Sequence, residues 1–365
     1  MLEENDIYRE LQIHLDQFPV GFPATTTGIE LKVLKHLFSE EEALIATKLD
    51  WSYDTLENIY EKFEEKNISK ELLEDSLNDM IKKGTLKYKT ENDKKLYANI
   101  PLVVGIFEYQ VNKLTKEFFE DFDEYLVSAF GAELLGTKIS QFRTIPIQQS
   151  ITPENYIANY DEVKQIIQNA EEPLVVANCV CRQSKELYDQ PCKQTSLRET
   201  CFYFGKTGQL FLDQGWARQV SRDEILEIMQ KAESDGLVFQ SGNTVNPEFI
   251  CSCCGCCCAI LTKLQRLPRP SRVISSNFHA EINPDLCVGC GTCVEHCLIN
   301  SIKLKDNLAS IILKRCIGCG VCVPNCPEGA IHLKKKEEEM KPPSSQHELF
   351  SQIMNKKQQL RKKNK

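Results

Sequence analysis

CVGCGTCVEHC, residues 287–297, and CIGCGVCVPNC, residues 316–326, write one pattern twice: C-x2-C-x2-C-x3-C. The repeat extends outward, because INPDLCVGCGTCVEHCLINSIKL (282–304) is echoed by LKRCIGCGVCVPNCPEGAIHL (313–333). Each copy places glycines between its first cysteines, at Gly289, Gly291, Gly318 and Gly320. Loops that wrap a compact anionic group need such permissive backbone and amides free to point at it. The copies differ once, since Pro327 follows Cys326 whereas Leu298 follows Cys297.

This spacing resembles that of bacterial-type ferredoxins, and the pattern is highly specific. The resemblance implies two 4Fe–4S clusters in a ferredoxin-like domain over residues 275–336. In that family three cysteines of one loop hold three irons, and the fourth of each run crosses to the other cluster. Carried over, one set is Cys287, Cys290, Cys293 and Cys326; the other is Cys316, Cys319, Cys322 and Cys297. A pair of zinc sites is the bland alternative. His296 and His332 read as surface residues, because the ligand sets are already full.

The chain has 18 cysteines, and ten lie outside the repeat: Cys179, Cys181, Cys192, Cys201, then Cys251, Cys253, Cys254, Cys256, Cys257 and Cys258. The last six are packed into CSCCGCCC, residues 251–258. Adjacent cysteines point in different directions whether the backbone is helical or extended. The stretch therefore cannot close on one cubane, and the simplest reading has it supply ligands to two metal sites. A larger or non-cubane cluster, zinc, and disulfides or buried thiols are the alternatives. Cations should accompany thiolate clusters, and Arg182, Arg198, Arg218 and Arg222 are candidates. CCG at 253–255 is similar to part of the cysteine-rich domain of heterodisulfide reductases, but the longer repeated pattern of that family is missing. GKT at 205–207 resembles the end of a phosphate loop, yet Thr200 stands where that motif needs glycine.

No cysteine precedes Cys179 or follows Cys326. The acidic N-terminus MLEENDIYRE lacks the apolar run of a secretory signal. The longest apolar runs, such as PLVVGIF at 101–107, fall short of the roughly 18 residues a membrane span needs. A cytoplasmic location is expected, where reducing conditions favour metal ligation over disulfides. The net charge of −8 conceals +6 in residues 334–365, so about −14 lies on the rest.

After an N-terminal segment (1–24), apolar periodicity predicts helices through 25–83, followed by strand, turn and strand around ENDK, 91–94. Helices followed by a hairpin resemble a winged-helix domain, 25–104. Helix 69–83 carries three lysines against Glu71, Glu74, Asp75 and Asp79. That balance disfavours phosphate contacts and hence DNA; a protein-docking role is expected instead. Residues 105–150 should hold one long amphipathic helix over 105–130, its face formed by Phe107, Val111, Leu114, Phe118, Phe122, Tyr125 and Phe130, then an extended connector over 143–157. A cysteine-rich metal-binding α/β domain spans 151–274. The tail, 337–365, reads as basic and flexible, with HELFSQIMNKKQQL able to form a helix on a partner.

The expected fold class is therefore multidomain α+β. Taken whole, the order resembles a family of 4Fe–4S dicluster proteins of anaerobes with a winged-helix-like front and a cysteine-rich middle. The resemblance implies electron transfer to or from an oxidoreductase partner or a soluble carrier, through two C-terminal clusters and one or two more in the middle. No general acid–base pair or activated nucleophile is evident, so no catalytic residue is assigned. The rivals are a reductase with a catalytic middle cluster and a redox-sensing winged-helix regulator.

Overall fold

The computed structural model describes residues 6–63, 68–151 and 158–363. It divides into two compact units: residues 1–137 with 213–216 and 353–365, and residues 138–212 with 217–352. This division is coarser than the six segments expected from sequence. The cysteine-rich segment and the ferredoxin repeat fall within one unit.

The first unit opens with α1 (Ile7–Leu15), capped by the Asp6 carboxylate. α2 (Ile29–Leu37), α3 (Glu40–Ala46), β1 (Asp54–Thr55), α4 (Leu56–Glu61) and α5 (Lys70–Lys83) follow. A Ser39–Glu42 capping box starts α3, satisfying two amides that a helix end leaves unpaired. Ser69 caps α5, and Gly84, at φ +80°, ends it. β2 (Leu86–Glu91) and β3 (Lys94–Asn99) then pair as a hairpin, with β1 on the far side of β3. Asn92 and Asp93 both take positive φ, the backbone that a two-residue hairpin turn demands.

The single helix expected over 105–130 is broken. Val103 to Gly105 are non-helical, and Glu108–Gln110 forms only a short 3-10 turn. Asn112 has φ +64°, a left-handed value that no continuous helix accommodates. Thr115 then caps a fresh helix, α6 (Lys116–Tyr125), which runs through a π-turn at Leu126–Phe130 into α7 (Gly131–Gly136). The aromatic stripe is nonetheless core. Phe107 stacks on Phe122 with ring centroids 4.1 Å apart, and Val111, Phe118, Tyr125 and Phe130 are buried.

The second unit is built on a seven-stranded sheet. Its strands are β4 (Phe142–Ile145), β5 (Leu174–Asn178), β6 (Glu199–Phe204), β7 (Ala217–Gln219), β8 (Val238–Gly242), β9 (Phe249–Cys253) and β10 (Ile274–Ser275). Their spatial order is β10-β4-β8-β9-β6-β5-β7, antiparallel except for β10 with β4. The helices are α8 (Val163–Asn169), α9 (Val180–Glu186), α10 (Gly205–Asp213), α11 (Arg222–Ser234) and α12 (Ala259–Leu264). The expected connector over 143–157 instead contributes a strand and a 3-10 turn at Gln148–Ser150; its residues 152–157 lie outside the described residues.

The repeat forms β11 (Phe278–Ile282), α13 (Thr292–Glu295), β12 (Ile302–Lys305), β13 (Leu308–Ile311) and β14 (Ile331–Lys335). β11 pairs with β14 and β12 with β13, both antiparallel. Phe278, Ala280, Ile302, Ile331 and Leu333 pack with Cys293, Cys316 and Cys322 into one small core. The expectation of a flexible tail is corrected by α14 (Gln346–Lys363), in which Leu349 and Ile353 are fully buried. In the first unit Lys357 pairs with Glu133. Apolar residues on one face of the basic segment explain the difference: composition pointed to disorder, whereas burial of a few side chains orders it.

Candidate metal centres

In the repeat, Cys287, Cys290, Cys293 and Cys326 line one cavity with Gly289, Gly291, Ala309 and Ile331. The thiols of Cys316, Cys319 and Cys322 lie near Cys297, which acts electrostatically on all three. Thus the fourth cysteine of each run is brought to the loop of the other.

The two halves also repeat their hydrogen bonds. Ser301 donates its amide to the Cys297 Sγ at 3.1 Å, and Ala330 donates to the Cys326 Sγ at 3.3 Å, each four residues on. Ala280 donates to the Cys316 Sγ at 3.4 Å. Amides aimed at sulfur favour thiolate over thiol. Burial works the other way, pushing the Cys319 thiol up to about 12. Buried thiols with sulfur-directed amides fit the binding of anionic clusters. His332 faces Glu281 at 3.2 Å, away from any thiol set.

The ten remaining cysteines divide into two groups. β9 ends in Cys251-Ser252-Cys253, so its period of two puts both thiols on one face. Cys201 of β6 stands directly opposite Cys251. Cys179 caps the start of α9, Cys181 follows in its first turn, and Cys258 caps α12. Each of these six thiols lies near two others, so that they follow one another round a circuit: Cys179, Cys181, Cys258, Cys253, Cys251, Cys201 and back to Cys179.

The other four, Cys192, Cys254, Cys256 and Cys257, have sulfurs all within 4.8 Å of one another. Cys192 lies 3.6 Å from both Cys254 and Cys256. Two of the three vicinal pairs are therefore split, with Cys253 and Cys258 facing the six-thiol circuit and Cys254 and Cys257 the four-thiol group, while Cys256 and Cys257 stay together, 3.6 Å apart.

Among the four candidate arginines only Arg182 is at the thiols. It is fully buried, donating to the Thr200 hydroxyl and, at 3.0 Å, to the Ser252 carbonyl. Burial opposes its charge, yet Cys179 and Cys254, with Cys192 and Cys201, raise its pKa above the ordinary value. The Cys254 thiol is held down to about 5 by the Cys257 hydrogen bond and, despite burial, by Arg182. The Arg182 Nε is buried without a hydrogen-bond partner among the described residues. Arg198, Arg218 and Arg222 instead pair with Glu186, Glu199 and Glu172 on the surface. Lys206 and Thr207, of the supposed phosphate loop, both engage Glu248, an acidic neighbour that phosphate would not choose.

Sequence reading missed the residues that join these regions. Gln265 donates to the carbonyls of Gly255 (3.0 Å) and Leu298 (2.8 Å). Arg315, beside Cys316, donates to the carbonyls of Gln265, Leu267, Ile299 and Asn300. Gln194 accepts the Gly255 amide and donates to Asp235 and Gly236 carbonyls. A lone glutamine carries no motif, so no signal marked them.

The family described as a 4Fe–4S dicluster domain matches residues 279–327, a stretch holding all eight cysteines of the repeat. A second family of the same description matches residues 315–355, which contain only the second run. No curated protein and no solved structure matches the chain. The C-terminal part is therefore an iron–sulfur region of ferredoxin type, and with the clustered thiols it supports an electron-transfer role. No helix among the described residues is long and apolar enough to cross a membrane.

Proposed function

We propose that this chain relays electrons to or from an oxidoreductase partner in the cytoplasm, by way of two C-terminal 4Fe–4S clusters and further metal in the cysteine-rich middle. One cluster would be held by Cys287, Cys290, Cys293 and Cys326, the other by Cys316, Cys319, Cys322 and Cys297. When bound, such groups supply one-electron redox chemistry. The chain's own contribution is to hold them apart from water and to connect them.

The observation that carries this reading is the contact between the two cysteine regions. Gly255, inside CSCCGCCC, packs against Leu298, beside Cys297, and Gln265 ties their carbonyls together. Leucine at 298, where the second copy has proline, supplies that contact. A relay explains why the middle thiols and the repeat share one compact unit. Burial of Cys179, Cys201, Cys253 and Cys258 in the six-thiol group favours relay there over a reductase needing an open coordination position, whereas Cys192 and Cys256 are only partly buried.

The front segment, 25–104, is proposed as a winged-helix-like module that docks protein. Its order of helices, short strand, helix and hairpin supports that likeness, and the acidic face of α5 opposes DNA.

Anaerobically purified protein, titrated with a low-potential reductant and followed by electron paramagnetic resonance, tests the proposal. Signals of two interacting reduced 4Fe–4S clusters are expected, with about eight irons in the repeat. Protein that holds zinc in the repeat, or that accepts no electrons, would refute it.

A further inference from the structure

We infer that the ten middle cysteines build two centres of different nuclearity: Cys192, Cys254, Cys256 and Cys257 hold a single tetrahedral ion, and Cys179, Cys181, Cys201, Cys251, Cys253 and Cys258 hold one polynuclear iron–sulfur cluster. This rests on the reading that these thiols bind metal, and it assigns which thiols hold what.

Spacing separates the two. An ion bonded to four thiolates at about 2.3 Å places neighbouring sulfurs roughly 3.8 Å apart, by tetrahedral geometry. The four-thiol group has this scale: Cys192 to Cys254, Cys192 to Cys256 and Cys256 to Cys257 each measure 3.6 Å. A cubane gives each thiolate its own iron and spreads the sulfurs much further. Among the described residues no other three metal-ligating side chains share a 4.8 Å sphere of mutual contact, the cysteines of the repeat included. The four-thiol group thus differs from the cubane-type sets within the same chain.

The circuit of six has the opposite geometry. Each thiol lies near two others, yet no three are within 4.8 Å of one another. The ring is therefore open across its middle, wider than one ion. Six thiolates exceed the four that a tetrahedral ion or a lone cubane accepts, so the occupant must carry several irons. Fully buried Arg182 stands beside both groups, near Cys179 and Cys201 of the ring and Cys192 and Cys254 of the four. Its unpartnered Nε–H leaves a donor for an anionic centre. The partition also explains why the stretch needs vicinal cysteines, since Cys253 and Cys254, and Cys257 and Cys258, divide between the groups and one segment can serve both centres.

The test uses full-length protein prepared without oxygen, with metals and acid-labile sulfide measured together. Cys256→Ser with Cys257→Ser should lose about one metal atom, zinc or iron, and no sulfide. Cys181→Ser with Cys253→Ser should lose several irons with matching sulfide. Loss of about four irons and four sulfides from the first variant, or of a lone ion from the second, overturns the partition. Should either variant fail to fold, absorption fine structure at the zinc edge and Mössbauer spectra of unaltered protein decide. A four-sulfur ion without a metal neighbour is expected, and its absence refutes the inference. The resonance signals of the C-terminal clusters are read in the same samples. Their loss from unaltered protein would strike the electron-transfer proposal instead, while the metal differences still judge the partition.

Discussion

Gly255 lies so close to Leu298 that a β-carbon on the glycine would stand 3.3 Å from the leucine Cδ2. The cysteine stretch and the loop after Cys297 therefore meet with little room for a side chain. Gly255→Val should overpack this seam and cost about 1–3 kcal/mol. Adding Leu298→Ala should recover part of the loss, because the two residues share one contact. Thermal unfolding of the single and double variants without oxygen checks this. Purely additive losses would mean that the seam is not where the strain arises.

Two glycines of the repeat should respond differently. A β-carbon on Gly289 would run into the Asn307 carbonyl, at a φ of +71°, whereas Gly329, at φ +60°, meets nothing within 4 Å. Gly329→Ala should cost about 1 kcal/mol, the ordinary left-handed penalty. Gly289→Ala should cost clearly more and release iron from the first loop. Iron content and melting temperature distinguish the two.

Arg143 and Asp161 form a buried ion pair at 2.8 Å, and Asn277 donates to the same carboxylate. Removing one buried partner strands the other, at a cost of roughly 3–5 kcal/mol. Asp161→Asn should therefore lower stability by that order. Arg218→Ala, which breaks half-exposed pairs with Glu199 and Glu224, should change it by less than about 1 kcal/mol. Denaturant unfolding of both variants makes the comparison.

Cys290 is the exposed thiol of its set. Cys290→Ala should deplete one cluster first, about four irons at most, and then weaken the other, because Cys297 and Cys326 cross between the loops. Time-resolved loss of iron, with resonance spectra at each stage, reads the order. Simultaneous loss of both clusters would contradict it.

Full-length protein should show no tight, salt-sensitive binding to duplex DNA. α5 bears Glu71, Glu74, Asp75 and Asp79, and its Lys70 and Lys82 already pair with Glu57 and Asp79. Too few free cations remain to displace counterions. Mobility shifts at low and moderate salt provide the check, and strong binding would revive the regulator reading.

The repeat and its glycines were legible in the chain, because ligand spacing on one short loop is local geometry; the crossing of its fourth cysteines came only from the resemblance to ferredoxins. The helix ends at Ser69 and Gly84 were legible for the same reason. The break at Asn112 and Thr115 was written there too, but it was outweighed by the apolar periodicity that spans it. What local pattern could not supply was the division of the ten middle thiols. The expected divergence of vicinal cysteines holds for Cys253 with Cys254 and for Cys257 with Cys258, but the turn at Cys256 and Cys257 brings those two sulfurs within 3.6 Å. Which partner each one meets depends on Cys201 pairing across the sheet with Cys251 and on Cys192 arriving from a loop. Arg182 became distinguishable from three other arginines only when the fold buried it, and α14 became ordered only when tertiary contacts covered Leu349 and Ile353. Ligand chemistry is encoded by neighbours in sequence; nuclearity, burial and charge compensation depend on neighbours in space, which long-range pairing alone brings together.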